Sequence, residues 1–391
     1  MKKNNVKRNS IIIGLLNLLM DLKLYGVIAV IYYTKVAGNM TLGMSAFSIT
    51  MIASALFELP TGVISDKVGR KKTVILGTIA SLTYSIIFAL SKNYVWLVLG
   101  AIFEGVEIAF FSGNNNALLY DTLKEESREE EYSKYLGKTN SMYQVASILG
   151  GLAGGIILYF TSYEIIMWIS VIPKLLNVII SLFIYEPKVF TENKNNIYSQ
   201  AINSIKLVFK NKTLLKQVVA DSISEGVGES TYQFRSKFYE MLWPEWALGI
   251  PGVLANIGLF LANWFSDKIL KKVKNTTIMI GGYIYSFLSN LIGALLNNIW
   301  SPLVLVTNSV IPTNIVKEEI SQKLYTDEYR ASMASIKSLI SSISMAIFFL
   351  LVGIIADNFG VVYTLAIMQC FKLIVILIYV NIFKTNKELI K

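Results

Sequence analysis

The sequence predicts an all-α membrane protein in which twelve transmembrane helices form two pseudo-symmetric six-helix bundles. Composition is the first reason, because 54% of the 391 residues are hydrophobic and only 16% are charged, whereas soluble domains carry about 25% charged residues. The second reason is that apolar segments of roughly 20 residues, the length that crosses a bilayer, follow one another along the chain. The third reason is an internal repeat whose period is about half the chain.

The predicted spans are separated by short polar or charged stretches, as expected when loops alternate with membrane helices. Spans 1 to 12 are, in order, Ser10–Tyr33, Leu42–Ile64, Thr73–Ser91, Tyr94–Asn116, Thr139–Phe160, Glu164–Glu186, Thr213–Phe234, Trp246–Ser266, Thr276–Asn297, Ser301–Gln322, Ser332–Ala356 and Gly360–Phe383.

The distribution of Lys and Arg predicts the orientation. Four basic residues precede span 1, whose apolar core is too long for a signal peptide and which no small-residue cleavage site follows. With the N-terminus inside, 27 basic residues lie in inside segments and 4 in outside loops, which obeys the positive-inside rule. The four outside residues are Lys35, Lys92, Arg235 and Lys237. We expect a cell-membrane protein with both termini cytoplasmic, whose net charge of +10 reflects topology and anionic lipid rather than nucleic acid.

The repeat divides the chain. "SDKVGRKK" at Ser65–Lys72 recurs as "SDKILKK" at Ser266–Lys272, 201 residues later. "GGII" at Gly154–Ile157 recurs as "VGII" at Val352–Ile355, 198 residues later. We therefore expect an N-terminal six-helix bundle over residues 1–186, a cytoplasmic linker over 187–212 and a C-terminal six-helix bundle over 213–391.

Several chemistries are excluded. The chain has no His and a single Cys, Cys370, which leaves no disulfide, no Cys/His metal cluster and no Ser-His-Asp triad. "LGKT" at Leu136–Thr139 lacks the Gly that a phosphate-binding loop needs, because Tyr132 occupies that position. The prediction is a protein that is not an enzyme, with no ATP site, no metal and no cofactor.

A charged loop interrupts two apolar segments between spans 2 and 3. Gly62, Asp66, Gly69 and Arg70 stand there in the spacing Gly-x-x-x-Asp-x-x-Gly-Arg. Arg70 lies one helical turn after Asp66 and can return to it as a charge-assisted partner, while Gly62 permits close approach of another helix and Gly69 a sharp turn. This loop resembles the signature loop of the major facilitator superfamily. The resemblance implies that Asp66 faces the N-terminus of span 11 and that Asp121, after span 4, joins a gate network on the cytoplasmic side.

Two further patterns extend the resemblance. Asp267 and Lys271 mark the second copy of the loop, and the resemblance assigns them to the same gate motif. Span 5 carries the helix-packing glycines of a pattern similar to that of proton-antiport exporters, with Gly in place of its Pro. These glycines are Gly150, Gly151, Gly154 and Gly155. Together with "SGNNNALLYDTL" after span 4, the chain resembles a bacterial subgroup of drug and metabolite exporters.

Ionisable residues inside the spans need a reason, because each costs at least about 2.5 kcal/mol at the centre of a membrane helix. The resemblance implies that spans 1, 4, 7 and 10 line the central cavity. They carry eight acids, Asp21, Glu104, Glu107, Asp221, Glu225, Glu229, Glu318 and Glu319, and two bases, Lys23 and Lys317. The excess of acids favours a cationic or zwitterionic amphipathic substrate. The candidates for proton coupling or cavity contacts are Asp21, Glu104, Glu107, Glu225 and Glu229.

Some of these charges have a structural alternative, in which Asp21 pairs with Lys23 and Glu318 with Lys317. Lys174 and Lys372, on the peripheral spans 6 and 12, are predicted to snorkel or to pair structurally. The functional prediction is a monomeric, proton-coupled exporter of small molecules that works by alternating access in the lipid bilayer. The alternatives are a proton-coupled importer of a sugar, peptide or other nutrient, and a non-transporting membrane scaffold or sensor.

Overall fold

The protein is described by a computed structural model, which covers residues 3–188, 208–325 and 330–386. These residues form helices joined by short turns and contain no β-strand. They divide into two compact units. The N-terminal unit is Met1–Glu192 with Pro244–Ile250, and the C-terminal unit is Asn193–Trp243 with Pro251–Lys391. Most of the predicted linker, residues 189–207, lies outside the described residues.

Nine α-helices and three single turns of 3₁₀-helix make up the described part of the N-terminal unit. They are α1 (Lys3–Asp21), a turn (Leu24–Ile28), α2 (Ala29–Ala37), α3 (Met40–Val68), α4 (Arg70–Ala89), α5 (Tyr94–Phe111), α6 (Asn114–Glu125), a turn (Glu129–Glu131), α7 (Tyr132–Phe160), α8 (Tyr163–Ile169), α9 (Val171–Ser181) and a turn (Glu245–Ala247). Asn39 and Asn93 begin α3 and α5 as N-caps, since each side chain accepts a hydrogen bond from a backbone N–H of the first turn.

Close helix contacts hold the N-terminal unit together. Apolar residues of α1, including Ile13 and Leu16, pack with Leu118 and Leu119 of α6 in one fully buried cluster. At Gly105 on α5 an added Cβ would lie 2.5 Å from the carbonyl oxygen of residue 50 on α3. Lipid tails are as apolar as Leu, so such small-residue contacts and van der Waals packing stabilise membrane helices.

The described part of the C-terminal unit contains seven α-helices. In order its elements are α10 (Lys212–Glu240), α11 (Ile250–Trp264), α12 (Ser266–Leu270), a π-helical turn (Thr277–Gly281), α13 (Gly282–Leu296), α14 (Ser301–Val306), a 3₁₀ turn (Thr307–Val310), α15 (Thr313–Leu324) and α16 (Arg330–Thr385). Its core stacks the rings of Tyr283 and Tyr379, whose centroids lie 5.8 Å apart at 26°, against Val316 and Ile320 of α15.

Several predicted spans are interrupted. Span 1 leaves the helical conformation at Lys23, and span 4 breaks at Gly113, which has a φ of +71°. Span 10 breaks between α14 and α15. Spans 11 and 12 are two helices within α16 that meet at Gly360, where the backbone is not helical and a φ of +79° favours glycine. Only the break at Gly360 coincides with a predicted span boundary, whereas predicted spans 1, 4 and 10 run through the other breaks.

Nine helical stretches in the described residues are long and apolar enough to cross a membrane. Span 7 is not among them because α10 carries many charged residues, span 10 is excluded by its break, and α16 alone covers spans 11 and 12. The prediction of an all-helical, multi-pass membrane protein is confirmed for the part of the chain that the structure describes.

Candidate functional site

A buried ion pair joins the break in span 1 to α5. Lys23 Nζ lies 2.7 Å from Glu104 Oε1, and the side chains are 33% and 8% exposed. The hydroxyl of Thr50 on α3 donates to Glu104 Oε2 at 3.2 Å. The alternative that Lys23 pairs with Asp21 is wrong, because the backbone leaves the helix at Lys23 (φ −90°, ψ 85°) and the side chain reaches α5 instead.

One turn further along α5, Glu107 is 3% exposed and accepts a hydrogen bond from the hydroxyl of Ser81 at 3.1 Å. Lys174, on α9, is fully buried in the same unit. Its ammonium also lies 5.5 Å from the ring centroid of Tyr84. These contacts place a second buried base beside the acids of α5.

Lys174 also compensates the break in span 1. Its ammonium donates to the carbonyl oxygen of Met20, which in a continuous α-helix would accept from the amide four residues later. Because α1 ends at Asp21, that carbonyl needs another donor. Of the two predicted roles of Lys174, snorkelling is excluded and a structural contact is found, because its side chain is fully buried inside the N-terminal unit.

Asp21 completes this group. It ends α1, is partly exposed, and has no Lys or Arg nitrogen within 4 Å among the described side chains. We call Asp21, Lys23, Glu104, Glu107 and Lys174 the N-terminal charge cluster. It brings three of the predicted proton-coupling acids together with two lysines.

The four glycines of the predicted packing motif lie on α7 and contact backbone. A Cβ at Gly154 would collide with the carbonyl of Leu24 in the broken part of span 1. A Cβ at Gly155 would collide with the segment 246–249, which also touches the carbonyl of Gly151. Gly150 lies against the backbone of Lys23, at 3.4 Å from the Cβ position. The glycines therefore allow the non-helical backbone of the span 1 break and of segment 246–249 to pack directly against α7.

Gly154→Leu is expected to lower the unfolding temperature, because overpacking a filled contact costs about 1–3 kcal/mol. The side chain would displace the turn that carries Lys23. Gly137→Leu on the same helix is the matched control, since no described atom lies within 4 Å of its Cβ position. The measurement is thermal unfolding of both purified variants in one detergent. Equal losses in the two would contradict the packing role.

The loop between α3 and α4 has its own polar network. Arg70 Nε lies 3.4 Å from Asp121 Oδ2, and Arg70 Nη1 donates to the hydroxyl of Ser65 at 2.8 Å. Gly69 has a φ of +95°, which favours glycine. The carboxylate of Glu186 accepts the backbone N–H groups of residues 70 and 71 at 2.9 and 2.7 Å, where the helix N-terminus favours an anion. Sequence reasoning anticipated Asp121 but missed Glu186.

The remaining gate residues have different surroundings. The backbone of Asp66 belongs to α3, but its side chain lies outside the described part of the structure. No atom of the described part of the structure, apart from its own helix, lies within 4 Å of the Cβ position of Gly62, and close approach of another helix at this glycine stays a prediction. Asp267 and Lys271 form an exposed i, i+4 ion pair at 2.7 Å.

The C-terminal unit contains a cavity of about 440 Å³. Two predicted acids, Glu225 and Glu229 of α10, line it together with Lys317 of α15. Lys317 Nζ lies 3.4 Å from Glu225 Oε1, and Gln233 donates to Glu229 at 2.8 Å. The alternative pair of Lys317 with Glu318 is wrong, because the side chain of Glu318 is exposed on α15 and accepts from Gln322.

Asp221 is fully buried behind this cavity. Its carboxylate lies 2.8 Å from Lys337 Nζ and accepts the phenol of Tyr379. Lys337 also donates to Ser321 at 3.1 Å. Lys337 was missed by sequence reasoning, because it lies in predicted span 11, outside the four spans assigned to the cavity.

The predicted excess of cavity acids is revised by these positions. Glu318 and Glu319 contact other side chains of α15: Gln322 donates a hydrogen bond to Glu318, and Lys323 Nζ lies 2.6 Å from Glu319 Oε1. The buried cations Arg235, Lys337 and Lys372 were not counted. Arg235 was assigned to an outside loop, but α10 continues to Glu240 and buries it. Lys372 is predicted to snorkel or to pair structurally; it is buried, donates to Ser286 and lines the cavity.

Two helical units with buried acid–base pairs, in a chain of many apolar helices, define a polytopic membrane protein of the transporter class. The family model of the Major Facilitator Superfamily matches residues 11–315. The chain belongs to this superfamily.

Several relatives agree in sequence. The MFS-type transporter YxaM of Bacillus subtilis is 24% identical over 347 residues, 84% of each chain. A transporter of Buchnera aphidicola is 28% identical over 173 residues, and that match spans less than half of each chain, 43%. The class H tetracycline resistance protein of Pasteurella multocida is 22% identical over 252 residues, 63% of this chain and 61% of the relative.

A solved structure agrees in fold. A crystal structure of the nucleoside transporter NupG superposes with a TM-score of 0.81 over 96% of this chain and all of the other, at 13% identity. Among the described residues, no group of three His, Cys, Asp or Glu side chains is arranged to hold a metal ion.

Proposed function

We propose that this protein is a proton-coupled exporter of small molecules, in the cell membrane with both termini cytoplasmic. In this proposal it is a monomer of two six-helix bundles, residues 1–186 and 213–391, that works by alternating access. Twelve spans result when α10, the broken pair α14–α15 and the two parts of α16 on either side of Gly360 are each counted as crossings.

The observation that carries the proposal is an ion pair in each unit between one buried group and one that is about a third exposed. Lys23 lies 2.7 Å from Glu104 in the N-terminal unit, and Lys317 lies 3.4 Å from Glu225 in the C-terminal unit. A proton that joins such a carboxylate removes its attraction for the lysine, which is then released for another anion. Protonation can thus favour one conformation of the protein over another. Such a proton-dependent shift between conformations is what coupling requires.

Outward transport is supported by the glycine pattern of α7, which resembles that of proton-antiport exporters, and by the similarity to a tetracycline resistance protein. The test uses the full chain in proteoliposomes with an imposed pH difference, and a sensitive bacterial host challenged with a panel of toxic compounds. Raised tolerance, together with proton-dependent movement of the same compound, supports export. Gradient-driven accumulation by cells would instead assign import, and no movement of any compound would favour a scaffold or sensor.

The loop before α4 gives a separate prediction. We expect Arg70→Ala to leave the protein inserted but to slow transport at least about tenfold, because Asp121 and Ser65 lose their charged partner. Asp66→Asn is expected to do the same on the basis of the loop motif. Transport rates are compared at equal expression with those of Lys35→Gln, which removes an exposed ion pair with Glu164 outside the gate motif. Wild-type rates in Arg70→Ala would contradict the gate role.

A further inference from the structure

One face of the C-terminal cavity carries two cations that no acid neutralises. Arg235, on α10, is 9% exposed, and Lys372, on α16, is 6% exposed. Both line the cavity. Among the described side chains, no carboxylate lies within 4 Å of either one.

Neutral groups hold both cations in place. Arg235 Nη2 donates to Asn290 Oδ1 at 3.0 Å, while Arg235 Nε is buried without a hydrogen-bond partner in the described structure. Lys372 Nζ donates to the hydroxyl of Ser286 at 2.7 Å, and Asn308 donates to the same oxygen at 2.7 Å. We call Arg235, Lys372, Asn290, Asn308 and Ser286 the basic face.

The nearby acids of the cavity have other partners. Glu225 is paired with Lys317, and Glu229 accepts from Gln233. Two like charges that share a buried, poorly solvated site repel each other, and each has lost part of its hydration. Without an anion, the basic face is therefore electrostatically unfavourable, and an unused guanidinium N–H adds to that cost.

An oxyanion would satisfy this face. The guanidinium fork of Arg matches the two oxygens of a carboxylate or phosphate, and a neighbouring ammonium adds a point charge. Asn308, which also lines the cavity, offers an amide for further hydrogen bonds. The cavity of about 440 Å³ is within the range of small-molecule sites.

We propose that the basic face binds the carboxylate or phosphate group of an organic anion or zwitterion. Glu225 and Glu229, on the same cavity, then face the remainder of a zwitterion. Binding of an anion by the basic face does not depend on the proposed transport function. The further statement that the bound compound is the transported one rests on that function. The proposal adds an anionic group to the substrate expected from sequence, because the sequence-based count of cavity charges left out Arg235 and Lys372.

The first experiment measures binding without transport. The purified full chain is placed in nanodiscs of uncharged phosphatidylcholine, and its unfolding temperature is followed by tryptophan fluorescence with inorganic phosphate, citrate or glutamate as probes. Chloride keeps the ionic strength equal in every sample. We expect saturable stabilisation by at least one probe, with its apparent affinity lowered at least about tenfold in Arg235→Gln and in Lys372→Met.

Lys237→Gln is the matched control, because Lys237 lies two residues further along α10, is paired with Glu240 at 2.6 Å and does not line the cavity. It should retain wild-type affinity. Should Arg235→Gln fail to fold, Arg235→Lys and Lys372→Met keep the test decisive. Absence of saturable stabilisation by every probe, or equal stabilisation in wild type and the basic-face variants, would overturn the proposal.

A second arm separates a lipid headgroup from a free anion. Replacing part of the phosphatidylcholine by phosphatidylglycerol should leave probe affinity unchanged if the occupant is a soluble anion. Competition by phosphatidylglycerol that disappears in Lys372→Met supports the oxyanion site and assigns it to a lipid phosphate. Probe binding with no transport of any compound would contradict the proposed function alone, and transport without probe binding would contradict the basic face alone.

Discussion

Asp221→Asn is expected to lower the free energy of unfolding by about 3–5 kcal/mol, because removing one partner of a buried ion pair leaves the other charge uncompensated. Lys337 would keep its ammonium in a site where the side chain is only 15% exposed. The phenol of Tyr379 would also lose its anionic acceptor. The measurement is reversible unfolding of the purified protein in mixed micelles.

A double-mutant cycle with Lys337→Met isolates the pair. The double variant should be more stable than Asp221→Asn alone, because it no longer buries an unpaired cation. Asp267→Asn is the matched control, since its ion pair with Lys271 has side chains 78% and 73% exposed and exposed pairs contribute little. Strictly additive losses in the cycle would show that the two side chains do not stabilise each other.

The sequence was sufficient for the fold class because membrane burial leaves a strong compositional pattern. The break at Lys23 was not predictable because it lies within one apolar segment, whereas Gly113, in the polar stretch Ser112–Asn116, carries a turn signal that the span prediction passed over. At Gly360 the kink does coincide with a boundary between predicted spans, where a glycine supplies the positive φ.

The acids of the candidate site were predictable from their types and positions, but their partners were not. Glu104 and Glu225 lie on two of the spans predicted to line the cavity. Each pairs with a lysine from another segment of the chain, Lys23 and Lys317. Pairing across helices depends on helix rotation and on backbone breaks, which a period of 3.6 residues leaves undetermined. Lys337 shows the same limit, since it contacts Asp221 from a span that was not assigned to the cavity.

Arg235 shows how a boundary error changes a functional inference. Predicted span 7 ended at Phe234, one residue earlier, so Arg235 was counted as a loop cation that sets orientation. The helix continues six residues beyond that point, to Glu240. The same residue then lines a cavity, and the expected substrate gains an anionic group.

Glu104→Gln is expected to abolish uphill, proton-driven transport while downhill exchange of the same compound remains measurable. Glutamine cannot take up a proton and carries no charge to hold Lys23, yet it nearly preserves the side-chain volume, so the packing around position 104 is retained. The assay is transport in vesicles with and without an imposed pH difference. Glu164→Gln is the matched control, because its pair with Lys35 has side chains 55% and 60% exposed.

Comparison of five neutralised variants then identifies the coupling acid. Asp21→Asn, Glu107→Gln, Glu225→Gln and Glu229→Gln are measured beside Glu104→Gln under the same gradient. Glu104 ranks first because it lies 2.7 Å from a lysine at a helix break, where losing the ion pair can move backbone. Lys23→Met should therefore also uncouple transport, since it removes the other half of the pair. Full gradient-driven transport in all five variants would exclude carboxylate coupling at these positions, and would favour Na⁺ coupling or facilitated diffusion.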